Sequence, residues 1–555
     1  MPTPTPSGTP ALDRVRAAYA RIREVDRPEV WITLRPQADV EAEAAALDAA
    51  DPLPLAGTVV AVKGNIDVAG LPTTAGCPTY AYLPDADAPA VARLRAAGAV
   101  VLGTTNLDQF ATGLVGTRSP YGAVRNAYDP ARVSGGSSAG SAVAVALGIV
   151  DVALGTDTAG SGRVPAAFNG IVGIKPTRGL VPTEGVVPAC ASLDCVTVFA
   201  RTLPEAQRAL GVVADVPQAP PPARRPGPWR VAVPPLEQLG ELDPGWAEAF
   251  SWTAGRLAAA GVEVRPVDLT PFSAAAALLY EGAFVAERYT AVGGFIDKHT
   301  GSPDLDPTVA RIITAARDIP AHRLLADRER LAALTDRAMD ALGDADALLL
   351  PTAPGHPTLA EVAADPVGAN ARLGRFTNSA NLLDMCGVAV PAGEVGGLPF
   401  GVMLLGRART EERQSAIAGL LGPTVPFTVV GAHLSGQPLN GELRALGARL
   451  LRATTTAAEY RLYALPTTPP KPGLVRVPPD QGATVECEVW ELPAEGLGRL
   501  LAALPHPMAL GPVRLADGTA VPGFLCEPAA LTGARDITEH GGWRAYLAAA
   551  RPAPR

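Results

Sequence analysis

The stretch S-G-G-S-S-A-G-S at residues 134–141, followed by G-T-D-T-A-G-S-G-R-V-P at 155–165, decides how this chain is read. Glycine lets a backbone approach a ligand closely and take dihedral angles closed to other residues. Serines beside such turns are candidate nucleophiles. Either cluster alone reads more readily as a plain turn. Within the first, G-S-S-A-G at 136–140 fits the G-x-S-x-G nucleophile elbow. That elbow directly follows a strand. Here the preceding N-A-Y-D-P-A-R-V-S contains Pro and Asp and reads as loop, so the elbow is set aside.

Around these clusters, from about 54 to 215, short apolar runs alternate with Ala-rich helical runs. T-V-V-A-V at 58–62 and A-V-V-L at 99–102 read as strands, and 88–97 and 105–112 as helices. The alternation predicts an α/β fold with a helix-covered sheet. Residues 11–23 have apolar positions at helical spacing, with Asp13 near the start. Beyond a Pro-rich loop at 216–228, R-V-A-V at 230–233 reads as a strand, and 244–260, 272–292 and 322–342 as helices. Near 420–430 the texture changes. E-Y-R-L-Y-A-L, G-L-V-R-V, A-T-V-E-C-E-V-W-E-L and V-P-G-F-L-C-E read as strands separated by turn residues. The expected division is a disordered 1–10, a main domain at 11–427 and a β-rich domain at 428–555.

Composition narrows the function. The 555 residues require more than one folding unit, and 48% hydrophobic against 18% charged residues excludes wholesale disorder. A formal charge of -8 without a dense basic run argues against nucleic acid. No apolar run is long enough for a membrane span, and residues 1–10 lack the features of a secretory signal. Cys77, Cys190, Cys195, Cys386, Cys487 and Cys526 form no C-x-x-C pair, and no histidine has metal-ligand spacing. A reduced, cytoplasmic enzyme without a metal is the expectation. Only four lysines occur, Lys63, Lys175, Lys298 and Lys471, so a lysine kept in an apolar, Gly-flanked setting invites a chemical explanation.

The two Gly/Ser clusters join V-A-V-K-G-N-I-D at 60–67, G-I-V-G-I-K-P-T at 170–177 and S-L-D-C-V at 192–196 in a pattern that resembles the amidase signature family. The resemblance runs from about 55 to 407. It implies a mixed central sheet covered by helices and a Ser–Ser–Lys triad: Ser161 as nucleophile, Ser137 as bridge, after a cis peptide, and Lys63 as base. It also implies an oxyanion hole in the turn of Thr158, Ala159 and Gly160, with Asp157 and Arg163 pairing to hold the loop. Lysine can serve as a base only when neutral, so its pKa must fall towards 7. Burial at the end of the apolar Val60-Ala61-Val62 run can supply that fall.

Further segments, 106–122, 278–289, 432–440 and 463–473, resemble one branch of that family, the allophanate hydrolases. This implies hydrolysis of allophanate to ammonia and carbon dioxide in urea breakdown, with no cofactor. It further implies a homodimer, contact of Tyr280 and Arg288 with the substrate, and a C-terminal domain resembling the γ-glutamyl cyclotransferase type. Eight apart in one helix, Tyr280 and Arg288 would border one pocket, at about 100° per residue. His433, at the end of V-V-G-A-H, is a candidate for proton handling in the second domain, weighed evenly against a strand-end histidine with a purely structural bond. Association with a urea carboxylase stays open. The alternatives are another small-amide amidase, including the amidase component of a tRNA-dependent amidotransferase, and a non-catalytic scaffold in a urea-processing complex.

Overall fold

In a computed structural model, residues 9–48, 53–215, 222–467 and 470–550 are described. Most of the N-terminal segment read as disordered (1–8) and part of the Pro-rich loop (216–221) lie outside them.

The chain forms two compact units, Met1–Leu420 and Leu421–Arg555. The first is built on an 11-stranded sheet. Its strands are β1 (Trp31–Leu34), β2 (Val59–Lys63), β3 (Val100–Thr105), β4 (Val152–Asp157), β5 (Val172–Lys175), β6 (Cys195–Ala200), β7 (Arg230–Val233), β8 (Glu263–Pro266), β9 (Ala347–Pro351), β10 (Cys386–Val395) and β11 (Leu398–Gly406). Their order is β1-β3-β2-β4-β6-β5-β10-β11-β9-β7-β8. β2 runs parallel to both β3 and β4, while β4, β6, β5, β10, β11 and β9 pair antiparallel in turn. The sheet is therefore mixed. β2, β3, β4, β5, β6 and β9 are buried along their whole length, as expected for near-continuous apolar runs covered by helices.

The helix Ala139–Ala146, A-G-S-A-V-A-V-A, is buried at every residue and packs against β4. Its small side chains allow this closeness: a Cβ on Gly140 would lie 2.4 Å from the Val30 carbonyl oxygen.

Two helix expectations fail here. Residues 105–112 form no α-helix; β3 continues to Thr105, and Gln109–Ala111 make a single 3-10 turn with Phe110 and Ala111 at φ 50° and 51°. The Asp108 carboxylate accepts the backbone N–H groups of Val115, Gly116 and Arg118 at 3.0–3.1 Å, which folds the segment into a loop. The helix expected over 272–292 is two helices, Thr270–Ala277 and Ala286–Lys298. Between them Gly282 is extended (φ -94°, ψ -171°), and a Cβ there would lie 2.5 Å from the Leu278 carbonyl oxygen.

The second unit holds β12 (Thr424–Val429), β13 (Arg449–Thr455), β14 (Tyr460–Leu465), β15 (Lys471–Arg476), β16 (Glu486–Pro493), β17 (Met508–Arg514), β18 (Ala520–Cys526) and β19 (Arg535–Asp536). They form a five-stranded sheet, β13-β16-β12-β18-β17, and a three-stranded sheet, β15-β14-β19. The core includes Phe427, Tyr460, Val489, Trp490 and Trp543. A boundary at 427/428 would cut β12, which pairs with β16 over Thr424–Val429. Residues 421–427 therefore belong to the second unit. Pro423 and Pro426 hide this strand from a sequence reading, because proline inside a run argues against a strand.

Candidate active site

Lys63 ends β2, opposite Thr105 of β3, and its side chain is fully buried. Its ammonium nitrogen Nζ donates to Ser137 Oγ at 2.8 Å and to Thr156 Oγ1 at 2.6 Å. Desolvation lowers its pKa from 10.5 to about 7; Asp108, Asp194 and Asp157 oppose the fall, and Arg288 adds to it. A buried amine near 7 is neutral often enough at physiological pH to accept a proton.

Ser137 follows a cis Gly136–Ser137 peptide and precedes the buried helix. A Cβ on Gly136 would lie 2.0 Å from Asp108 Oδ2, so only glycine fits there. Ser161, just beyond β4, is also buried, and its hydroxyl donates to the Gly113 carbonyl oxygen at 3.5 Å. The Lys63–Ser137 bond is thus formed. Among the described residues, no hydrogen bond joins Ser137 to Ser161.

The turn before Ser161 is held rigidly. Asp157 and Arg163 are fully buried and bidentate, with Oδ2–Nε and Oδ1–Nη2 both at 2.9 Å. Burial pushes the Asp157 carboxyl up, and the Arg163 guanidinium beside it reverses this and holds it below the usual carboxylate range. The same carboxylate accepts the N–H groups of Gly160 at 2.9 Å and Gly162 at 3.0 Å. The expectation for Gly160 changes accordingly: its N–H is already engaged. Among the described residues, the backbone N–H groups of Thr158, Ala159 and Ser161 have no acceptor. Gly160 serves the turn through its conformation instead, at φ +130°, with a Cβ position 2.3 Å from Thr377 Oγ1.

Thr377 and Asn381 carry no signal in a local reading. Thr377 Oγ1 donates to the Ala159 carbonyl oxygen at 2.6 Å, and Asn381 Nδ2 donates to the Asp157 and Leu193 carbonyl oxygens at 2.8 and 3.0 Å. Arg163 reaches the Thr377 carbonyl and Asn381 Oδ1. Asp194, in the S-L-D-C-V motif, accepts from Thr158 Oγ1 and from the N–H groups of Ala189 and Cys190.

Tyr280 and Arg288 do come together, though not on one helix. Tyr280 lies in the turn after the first helix and Arg288 in the next, and Arg288 Nη2 donates to the Tyr280 hydroxyl at 3.3 Å. Arg288 is buried; Nη1 donates to Thr112 Oγ1 at 2.9 Å and Nε has no partner among the described residues. The surface pairing with Glu287 or Glu281 is absent, since Glu287 instead binds Ser192 through its N–H and hydroxyl. Arg288 is also among the charges that depress the Lys63 pKa, which places it within electrostatic range of the amine.

His433 stands in the second unit. Its ring stacks on Phe524 (centroids 4.7 Å apart, planes at 22°), and Nε2 lies 3.2 Å from Glu442 Oε2. Burial lowers its pKa, and Glu442 opposes this. It lines a cavity of about 240 Å³ together with Val430, Glu442, Lys471, Met508 and Phe524. Among the described residues no group of His, Cys, Asp and Glu could hold a metal ion, and no helix is long and apolar enough to cross a membrane.

A mixed sheet carrying a buried lysine bonded to a serine, with a second serine in a Gly-rich turn, is the arrangement that the amidase resemblance implies. The amidase family matches residues 13–414, and the chain belongs to that family. Residues 425–548 match the allophanate hydrolase C-terminal domain. Urea amidolyase from Lachancea kluyveri is 42% identical over 89% of this chain, which spans 30% of that protein's length. The structure of Kluyveromyces lactis allophanate hydrolase superposes with a TM-score of 0.70 and 38% identity, covering 98% of each chain. The 2-amino-5-chloromuconic acid deaminase from Comamonas testosteroni is 35% identical, over 73% of this chain and 90% of that protein.

Proposed function

We propose that this chain hydrolyses allophanate to ammonia and carbon dioxide. The observation that carries the reading is Lys63, fully buried, 2.8 Å from Ser137 and poised near pKa 7. Neutral Lys63 takes the Ser137 proton as Ser137 takes that of Ser161, and Ser161 Oγ attacks the terminal amide carbonyl. The Ser161 hydroxyl leaves the long 3.5 Å bond to the Gly113 carbonyl for Ser137 as substrate binds, since apo hydrogen bonds at catalytic sites are often long. The N–H groups of Thr158, Ala159 and Ser161 are available to the oxyanion, and such donors act most strongly where water is excluded. The relay returns the proton to the leaving nitrogen, ammonia departs, and water releases N-carboxycarbamate from Ser161. Arg288 and Tyr280 grip the substrate carboxylate. The unsatisfied Arg288 Nε supports this assignment.

The second unit acts on the released dianion, with His433 handling the proton. The match of that unit to the allophanate hydrolase C-terminal domain supports this division of labour, which a simple amidase or the amidase component of an amidotransferase would not need. A urea carboxylase is the proposed supplier of substrate, the cytoplasm the proposed compartment, and a homodimer the proposed assembly. The test is ammonia release from allophanate, urea, biuret and malonamide in parallel. Ammonia from allophanate, abolished by Ser161→Ala in a folded protein, is the expected result; release from the other amides alone would refute the substrate assignment.

A further inference from the structure

Of the four lysines, Lys63 bears the amine just described. Lys175 is buried with Nζ on the Pro176 carbonyl oxygen at 2.8 Å, and Lys298 is exposed. Lys471 is the remaining one. It opens β15, is half-buried, and lines the second unit's cavity together with His433. Among the described residues its ammonium has no hydrogen-bond or ion-pair partner, whereas the cavity's carboxylate, Glu442, is committed to His433. Its charge reaches the imidazole and disfavours protonation there. The other walls, including Leu500, Leu504, Met508 and Phe524, are apolar. An unpaired cation in a small, mostly apolar cavity calls for an anion, because a partly desolvated charge is costly until it is paired.

We propose that Lys471 is the carboxylate-holding residue of this cavity, and that its ligand is a small dicarboxylate dianion in which a second carboxylate faces the apolar wall. This rests on the function proposed above, in which that dianion is N-carboxycarbamate. One carboxylate sits on the Lys471 ammonium and the central N–H lies towards His433. The bond from nitrogen to the second carboxylate carbon breaks, its electron pair stays on nitrogen, and nitrogen takes a proton from His433. Neutral carbon dioxide leaves and carbamate remains on Lys471. Carbamate then takes a second proton, its C–N bond breaks, and it yields ammonia and carbon dioxide. The apolar wall favours the first step because the departing carboxylate loses its charge on becoming carbon dioxide. The incoming dianion also reverses the effect of burial on His433, so a proton is taken up as the ligand binds.

The experiment follows ammonia and carbon dioxide together, by stopped flow, in the full chain with allophanate. Lys471→Gln is expected to leave release of the first ammonia, from the amide, unchanged and to slow the second ammonia and carbon dioxide at least tenfold, to the uncatalysed decay of the intermediate; Lys471→Arg retains part of the rate. Malonate, a stable dianion of the same shape, is titrated calorimetrically into the Arg288→Ala chain, where the first unit's anion contact is removed. Adding Lys471→Gln there should weaken its binding at least tenfold. If His433→Gln slows carbon dioxide release while Lys471→Gln neither slows it nor weakens malonate, the Lys471 assignment is overturned and the role of the second unit stands. If neither substitution slows it, the proposed role of the second unit falls, and this assignment with it.

Discussion

Replacing Lys63 with methionine should abolish turnover and make the protein more stable at neutral pH. In the unfolded chain this lysine stays protonated up to about 10.5, and in the folded protein only up to about 7. At pH 7 that difference costs the fold about 5 kcal/mol, at about 1.4 kcal/mol per unit. Between pH 7 and 10.5 the unfolded state holds the extra proton, so stability rises with pH, and below 7 the whole cost applies. Methionine removes the charge at similar length but strips Ser137 and Thr156 of a donor, at about 1–3 kcal/mol. The net gain for Lys63→Met at pH 7 is therefore about 2–4 kcal/mol. Urea unfolding at pH 7, 8 and 9 measures it. Wild type should gain about 3 kcal/mol on the variant across that interval. Parallel pH profiles would refute a neutral buried lysine and the base role with it. For wild type, kcat/KM should fall about tenfold per pH unit below about 7, as the amine takes up its proton.

Arg288→Ala should lower kcat/KM for allophanate by about 2–4 kcal/mol, the scale of a lost charge-assisted contact, and affect an uncharged amide of similar size far less. Equal losses on both would show that Arg288 does not read the carboxylate. Gly160→Ala must displace Thr377 and with it the Ala159 carbonyl, so kcat should drop about 10²–10³-fold with KM little changed; an unimpaired kcat would mean that the turn does not position the oxyanion donors. Arg163→Met leaves the Asp157 charge buried and unpaired, and should destabilise by about 3–5 kcal/mol at pH 7. The Asp157 pKa is depressed in the fold, so the stability at stake is present at neutral pH and disappears as pH falls through the carboxylate range. Adding Asp157→Asn should restore part of the loss; no recovery in urea unfolding would contradict the ion-pair account.

Lys63, Ser137 and Ser161 are singled out in the sequence by short motifs that together resemble the amidase signature family, whereas each motif read alone fits a plain turn or a strand-end lysine better. An apolar run ending in one lysine predicts a buried strand with a perturbed amine, and glycines on either side of a serine predict a tight turn. The alternation of apolar and Ala-rich runs likewise reports the class of sheet, since periodicity is a property of neighbouring residues. The interactions that tune the site join distant parts of the chain, and local patterns are silent about them. Thr156 reaches Lys63 across 93 positions and Thr377 reaches Ala159 across 218, so neither pairing has a short-range signature. Asp157 takes the Gly160 N–H even though it lies only three positions away, because Arg163 and Asn381 aim its carboxylate and carbonyl. Tyr280 and Arg288 fit a helical spacing in the sequence, but the first helix ends at Ala277, and the two side chains meet across the turn between the helices. Local propensity chose the elements and the residue types with reactive chemistry. Burial by the packed sheet set the Lys63 pKa, and hydrogen bonds formed only on folding determined which backbone donors remain open to a substrate.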